Sequence, residues 1–107
     1  MTRRQLTSDE SRAMQVLNIL AGCELIKTGS SINGGTNYYF PQVVEIVDGP
    51  PEGLVIRILP GQMPSDFAAK ADVIAYHLGI AAVNVVPLEP PLILLELLPY
   101  PAPHGHP

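Results

Sequence analysis

The segment from Asp48 to Leu98 constrains the fold of this chain most, because strand-length apolar runs alternate with turn residues around a single helical period. Val43–Val47 and Leu54–Leu59 flank a loop rich in glycine and proline, which predicts a β-hairpin. Val83–Val86 and Leu92–Leu98 flank a second proline-rich turn and predict two more strands. The pattern indicates an α+β fold with a single compact ββαββ body, in which one helix covers one sheet.

Alternation along the first hairpin predicts which side chains share a face. Glu45 and Arg57 point to one side, where they would pair across the strands and contribute well under ~1 kcal/mol. We interpret that pair as structural. The residues predicted on the opposite, apolar face are Val44, Ile46, Leu54, Ile56 and Ile58.

A helix is predicted between the two strand pairs. Ser65 is placed as its N-cap, and Asp66 in the first turn is favourable at the positive end of the helix dipole. Gly79 supplies the left-handed residue that ends a helix. The side chains that recur on one face, and should be buried on the sheet, are Phe67, Ala71, Ile74, Ala75 and Leu78.

An additional amphipathic helix is predicted from residue 8 to about residue 21. Thr7 and Glu10 have capping-box spacing, and Gly22 is placed at the left-handed end. The helix either covers one face of the sheet or docks in a groove of a partner, and we favour the first. Its apolar stripe consists of Ala13, Val16, Leu17 and Leu20.

A ragged hairpin is predicted between this helix and the body. Glu24–Lys27 has strand character, Thr28–Gly35 has turn composition with a type I′ signal at Asn33 and Gly34, and Tyr38–Phe40 forms a strand edge. Clustered aromatic residues beside a glycine loop can stack on a nucleobase, but that role usually comes with basic neighbours, and Lys27 is the one nearby. We therefore expect the aromatic side chains to serve packing.

The strand Leu92–Leu98 is unusual because both of its faces are apolar. Ile93, Leu95 and Leu97 line one face, so the other face needs cover as well. That cover comes either from the N-terminal helix, which gives a three-layer monomer, or from another molecule. The candidate partner-binding residues, from this strand and its neighbours, are Val43, Val55, Val86, Leu92, Leu94 and Leu98.

Composition sets outer limits. The 107 residues, 47% of them hydrophobic and 15% charged, suit one folded domain, which we expect at residues 8–99. We expect residues 1–7 to be flexible, and residues 100–107 to form a disordered tail rich in proline and histidine. No apolar run is long enough to span a membrane, and acidic residues replace a signal peptide's apolar run, so we expect a cytoplasmic protein. The single cysteine, Cys23, cannot form an internal disulfide, which fits the reducing environment of the cytoplasm. A net charge of −4 disfavours direct binding to nucleic acid, so we expect any association with DNA to be indirect.

Gly49–Pro99 resembles the small α/β domain that precedes the motor in FtsK/SpoIIIE-type DNA translocases. The similarity lies in the hairpin, the corner at Leu59–Gly61, the helix centre at Ala71–Ala75 and the strand Leu94–Pro99. Upstream, Ala21–Cys23 and residues 41–44 are similar to actinobacterial plasmid-transfer members, so the resemblance extends over about residues 13 to 99. It implies ring assembly as a collar around DNA, with ATP hydrolysis belonging to a motor that this chain does not contain.

The residues indicate no catalytic chemistry. Gly22–Thr28 ends like a phosphate-binding loop but lacks its glycines, and Cys23 follows a helix C-terminus, where a thiol is not activated. His77 with His104 and His106 offers no preorganised metal site. We expect no enzyme activity, cofactor or metal.

The expected function is assembly, by self-association or by docking on a partner protein, in a phage- or mobile-element-encoded modulator of a host translocase. Two alternatives stay open. One is a small nucleic-acid adaptor that uses Arg3, Arg4, Arg12 and the aromatic loop, and the other is a small enzyme with an unrecognised site.

Overall fold

A computed structural model describes residues 2–5, 11–30 and 32–101 of the chain. It has two antiparallel sheets and three helices within these ranges, which confirms the α+β class. In chain order, the elements are β1 (Thr2–Gln5), α1 (Ser11–Gly22), β2 (Lys27–Ser30), β3 (Thr36–Tyr39), β4 (Gln42–Asp48), β5 (Glu52–Arg57), α2 (Pro64–Ala68), α3 (Ala71–Leu78), β6 (Ala82–Pro87) and β7 (Leu92–Leu98).

The main sheet has the strand order β1-β4-β5-β7-β6, with all neighbours antiparallel. The helical segment carries the chain from β5 to β6, and β7 then inserts between them. The predicted ββαββ body is confirmed, including the bounds of β7. β7 is therefore a central strand with a neighbour on each side.

All three described helices contribute to one core on one face of this sheet. Phe67 of α2 and Ile74 of α3 are fully buried there, and so are Val16 and Leu20 of α1. The predicted apolar face of the central helix is thus confirmed. Because α1 lies on the same side as α3, the three-layer alternative is wrong for the described part of the chain, and the opposite face of the sheet has no helix over it.

The register of the first hairpin differs from simple alternation. β4 and β5 pair with a shift between Val43 and Glu45, a β-bulge that places Val43 with Ile46 on the core side, whereas we predicted Val44 with Ile46. The shift also places Glu45 opposite Val55, with Arg57 opposite Gln42. Glu45 and Arg57 thus lie on one side of the sheet, as predicted, but they are not directly opposite each other.

The central helix is divided into α2 and α3. Lys70, with φ −108° and ψ 7°, leaves helical geometry between them. The N-cap is Met63 and not Ser65, because the backbone N–H of Met63 donates to Asp66 Oδ2 at 2.8 Å and Pro64 occupies the first helical position. Gly79 ends α3 with φ 73°, as predicted.

The end of α1 is formed by Glu24 and not by Gly22. Glu24 has φ 62°, and the N–H of Leu25 donates to the carbonyl of Leu20 at 2.9 Å while Glu24 donates to Ala21 at 3.1 Å. These two bonds make a Schellman motif. They turn Leu25 inward, where it is buried. The predicted start of this helix at Thr7 lies outside the described residues.

β1 was not predicted from the sequence, which indicated a flexible segment at 1–7. Thr2–Gln5 pairs with β4 as an edge strand, from Thr2 opposite Asp48 to Gln5 opposite Glu45. Its four residues carry no apolar alternation, so only backbone pairing identifies it. The sequence predicts a disordered tail at residues 100–107. Residues 102–107 of this tail lie outside the described residues.

The predicted ragged hairpin is a separate two-stranded sheet, β2-β3, which we call the arm. Its first strand begins at Lys27, so residues 28–30 form part of a strand, whereas we predicted a turn there. Gly34 has φ 83° but Asn33 does not have a positive φ, so the connection is not a type I′ turn. The arm is exposed along almost its whole length.

Candidate functional site

The side of the main sheet opposite the helices is the first candidate surface, and we call it the open face. Alternation and register assign its side chains, because residues directly opposite each other on neighbouring strands point the same way. The apolar members are Val47, Val55, Val86, Leu92, Leu94 and Leu98 around Gly53, and the polar members include Glu45, Arg57, Asn84 and Glu96.

The centre of the open face is buried although none of the described helices lies over it. Val55 is 1% exposed and Val47 is 3% exposed, although no described helix lies over them. Leu94 accounts for part of this shielding, since its Cδ1 lies 2.9 Å from the position that a Cβ on Gly53 would take. The missing side chain at Gly53 lets Leu94 lie flat across β5. Neighbouring aliphatic side chains thus shield the middle of this face.

Five of the six predicted partner-binding residues lie together on the open face. Val55 is opposite Leu94, which is opposite Val86, so these three form one row across the sheet. Leu92 and Leu98 lie on the same face at the two ends of β7, each half-buried. Val43 does not join them, because the bulge turns it into the core, where it is 6% exposed. The other five stay a predicted binding surface.

Polar groups bound the open face near its β6 edge. Asn84 Nδ2 donates to Glu96 Oε1 across β6 and β7 at 2.7 Å. Both partners are accessible to solvent, so this bond places a neutral amide and a carboxylate beside the aliphatic side chains of the open face. The aliphatic residues of β7 on this face are therefore interrupted by Glu96, between Leu94 and Leu98.

A second candidate surface is a cleft where the base of the arm meets the start of β4 and the end of β5. It encloses about 760 Å³, and we call it the aromatic cleft. Its walls come from α1, β3 and the β4–β5 hairpin. The lining residues are Leu17, Tyr38, Tyr39, Phe40, Pro41, Gln42, Val43, Val44, Arg57, Ile58 and Leu59.

The aromatic side chains of this cleft do not serve core packing, so that expectation is wrong. Tyr38, Tyr39 and Phe40 are 61%, 51% and 41% exposed. The ring of Tyr39 lies across β2, with its Cε2 at 3.3 Å from the position that a Cβ on Gly29 would take. Gly29 thus provides a flat bed that holds this ring in place. The sequence signal for this arrangement is a glycine placed near a tyrosine across a hairpin, which we did not use.

The arm is fixed to the body by polar contacts at its base. The Lys27 ammonium donates to the carbonyl of Pro60, and Gln62 Nε2 donates to the carbonyl of Leu25 at 3.1 Å. Gln62 Oε1 also accepts from the N–H of Leu59 at 2.8 Å. Arg57 is the one charged residue among those that line the aromatic cleft, and the ammonium of nearby Lys27 is bonded to the carbonyl of Pro60. The cleft is preorganised and only weakly charged.

The described residues contain Cys23 and His77, two of the side chains named above as candidates for catalysis or metal binding. They include no group of three or more His, Cys, Asp or Glu side chains placed to hold a metal ion. Cys23 is buried, and His77 makes an edge-to-face ring contact with Tyr76 at 5.3 Å. His104 and His106 lie outside the described residues. No helix within the described ranges is long and apolar enough to cross a membrane.

Comparisons with protein-family models, with curated protein sequences and with solved structures give no match to this chain. The functional interpretation therefore rests on the two surfaces.

Proposed function

We propose that this chain is a non-enzymatic assembly domain, similar to the collar domain of a DNA translocase, that binds a second copy of itself or a partner protein through the open face. The observation that carries the proposal is the row Val55, Leu94 and Val86, an aliphatic strip across the middle of a sheet with no described helix over it. A face of this kind favours association.

The shape of the open face supports protein as its ligand. Leu94 lies over Gly53 and shields it, while the carboxylate of Glu96, opposite Gly53, accepts a hydrogen bond from Asn84. Aliphatic side chains next to hydrogen-bonded polar groups are the usual composition of a protein interface. A nucleic acid would instead require clustered basic groups, and the chain carries a net charge of −4.

We further propose that the protein acts in the cytoplasm, on a mobile element's or phage's behalf, by joining or blocking a host translocase. The lone thiol of Cys23 supports a reducing compartment. The resemblance of residues 49–99 to the translocase collar supports the choice of partner. These two supports are independent of the geometry of the open face.

The mass of the protein in solution tests the proposal. Light scattering after size exclusion should give a mass above the 11.5 kDa of one chain, and Leu94→Lys should lower that mass, because it places an ammonium in the aliphatic strip. Val86→Lys, on the edge strand, should have the same effect with less risk to the fold. Circular dichroism verifies that both variants stay folded.

Val73→Lys is the matched control. Val73 is an exposed aliphatic residue on α3, 43% accessible, on the helical side of the sheet. It should leave the mass unchanged. A wild-type chain that stays monomeric and is not retained by a purified FtsK-type motor would overturn the proposal, and so would equal effects of the Val73 and Val86 substitutions.

A further inference from the structure

We propose that the aromatic cleft binds a proline-rich strand, and that its occupant is the segment beginning at Pro99 of a second copy of this chain. The contact would run head to tail between copies. It uses neither the row Val55, Leu94 and Val86 nor any other aliphatic residue of the open face, so it goes beyond the proposed function.

The cleft has the chemistry that recognises polyproline II helices. Such helices have no internal hydrogen bonds, so a receptor supplies aromatic walls for the proline rings and donors for the free carbonyl groups. Tyr38, Tyr39 and Phe40 line the cleft, and so do Gln42 and Arg57, whose side chains are hydrogen-bond donors. The Tyr39 ring is already held against Gly29, which lowers the entropy lost on binding.

The segment after β7 has the complementary chemistry. Prolines at 99, 101 and 103 give the segment a composition that favours a polyproline II helix, and Tyr100 adds a large side chain between the first two. Pro99, Tyr100 and Pro101 are exposed, and Tyr100 is 67% accessible. The segment therefore leaves the body available to another molecule.

The positions of cleft and segment favour binding between copies. The cleft includes Arg57, which pairs with Leu92 at the start of β7, whereas Pro99 follows the far end of the same strand. Six residues of strand separate the two, roughly 20 Å. A segment leaving at Leu98 points away from its own cleft. Docking on a second copy needs no reversal of the chain, and each copy keeps one free cleft and one free segment at opposite ends.

Charge decides against a nucleobase as the occupant. Stacking on aromatic side chains is sequence-tolerant, but the accompanying phosphates need several cations along the path. Arg57 is the one charged residue lining the cleft, Lys27 is bonded to Pro60, and the chain carries a net charge of −4. A neutral proline-rich strand needs no such path.

Binding of a synthetic peptide tests the proposal directly. A fluorescein-labelled peptide with the sequence of residues 98–107 is titrated with the full chain, and its anisotropy should rise to saturation. Tyr39→Ala and Tyr38→Ala should each weaken binding about tenfold or more, as for aromatic anchors in other interfaces. Replacing Pro101 and Pro103 by alanine in the peptide should have a similar effect.

Tyr76→Ala is the matched control, because Tyr76 is 80% exposed on α3 and away from the cleft. It should leave binding unchanged. Absence of saturable binding up to about 1 mM protein would overturn the proposal. A (dT)10 oligonucleotide that binds and loses affinity with Tyr39→Ala, while the peptide does not bind, would overturn it in favour of base stacking.

A final pair of measurements separates the second copy from the chain's own tail. The full chain with Pro101→Ala and Pro103→Ala should associate less than the wild type. If that variant instead binds the peptide at least about tenfold more tightly than a monomeric wild type, the tail occupies its own cleft and the second-copy assignment is overturned. Peptide binding should persist with Leu94→Lys, so the failure of the open face and the failure of the cleft are distinguishable.

Discussion

The two faces of the main sheet are built from the same kind of residue but are shielded in different ways. Leu95 and Leu94 are neighbours on β7. Leu95 is fully buried under the helices, whereas Leu94 is half-buried on the open face. The centre of the open face is nonetheless as dry as the core, since Val55 is 1% exposed. Burial of a strand residue therefore does not show that a second layer covers it.

The difference between the faces lies in the side chains of β7. On the helical side, Ile93, Leu95 and Leu97 are buried along the whole strand and belong to one cluster with Phe67 and Ile74. On the open face, Leu92, Leu94 and Leu98 are all half-buried. An aliphatic sheet face can thus shield Val55 and still offer the half-buried side chains around it to a partner.

The largest expected effect is a difference between two leucine truncations. Leu95→Ala should lower the free energy of unfolding by about 3 kcal/mol, because it leaves a cavity among the helices. Leu94→Ala should lower it by about 1 kcal/mol, because Leu94 is itself half-buried and its truncation opens to solvent instead of leaving an enclosed cavity. Urea denaturation measures both. Equal losses would show that the open face is covered in solution.

Gly53→Ala should lower the free energy of unfolding by about 1 kcal/mol, because the new Cβ lies 2.9 Å from Leu94 Cδ1 and 3.1 Å from the carbonyl oxygen of Leu95. The control is the same substitution combined with Leu94→Ala. There the loss should fall to roughly half, since the backbone contact remains while the side-chain contact is gone. Additive losses would mean that Leu94 does not lie over Gly53.

The smallest effect concerns the helical side alone. Glu24→Gly should raise the free energy of unfolding by about 0.5 kcal/mol, because relief of the left-handed strain exceeds the added freedom of the unfolded chain. Thermal and urea unfolding measure the gain. Glu24→Ala keeps the strain and should gain at most a few tenths of a kcal/mol by removing a carboxylate from the helix C-terminus. Neither variant should alter self-association.

The parts of the fold that the sequence predicts correctly are those where side-chain pattern decides the structure. The prolines before and after β7 indicate its bounds, the period of two divides its residues between two faces, and Gly79 indicates the end of α3. The sequence cannot show the bulge at Val43, because Val43 and Val44 have the same side chain and only the pairing with β5 distinguishes them. The sequence does not predict β1, because its four residues are all polar and show no apolar alternation.

The candidate surfaces follow the same division. Alternation predicts that Leu92, Leu94 and Leu98 share a face, but the side on which α1 packs depends on tertiary contacts that alternation does not contain. The aromatic cleft is missed because apolar content alone suggests packing. Its exposure results from the arm, which the Lys27 and Gln62 contacts hold apart from the core.

The place of β7 in the sheet has a consequence for synthesis. β7 joins β5 to β6, yet it follows both of them along the chain. Until residues 92–98 have left the ribosome, neither of these strands has its shared partner, and the helices have only part of a sheet to pack on. Formation of the native sheet therefore waits for its late-translated middle strand, and a nascent chain of the first ninety or so residues presents unpaired strand edges to chaperones.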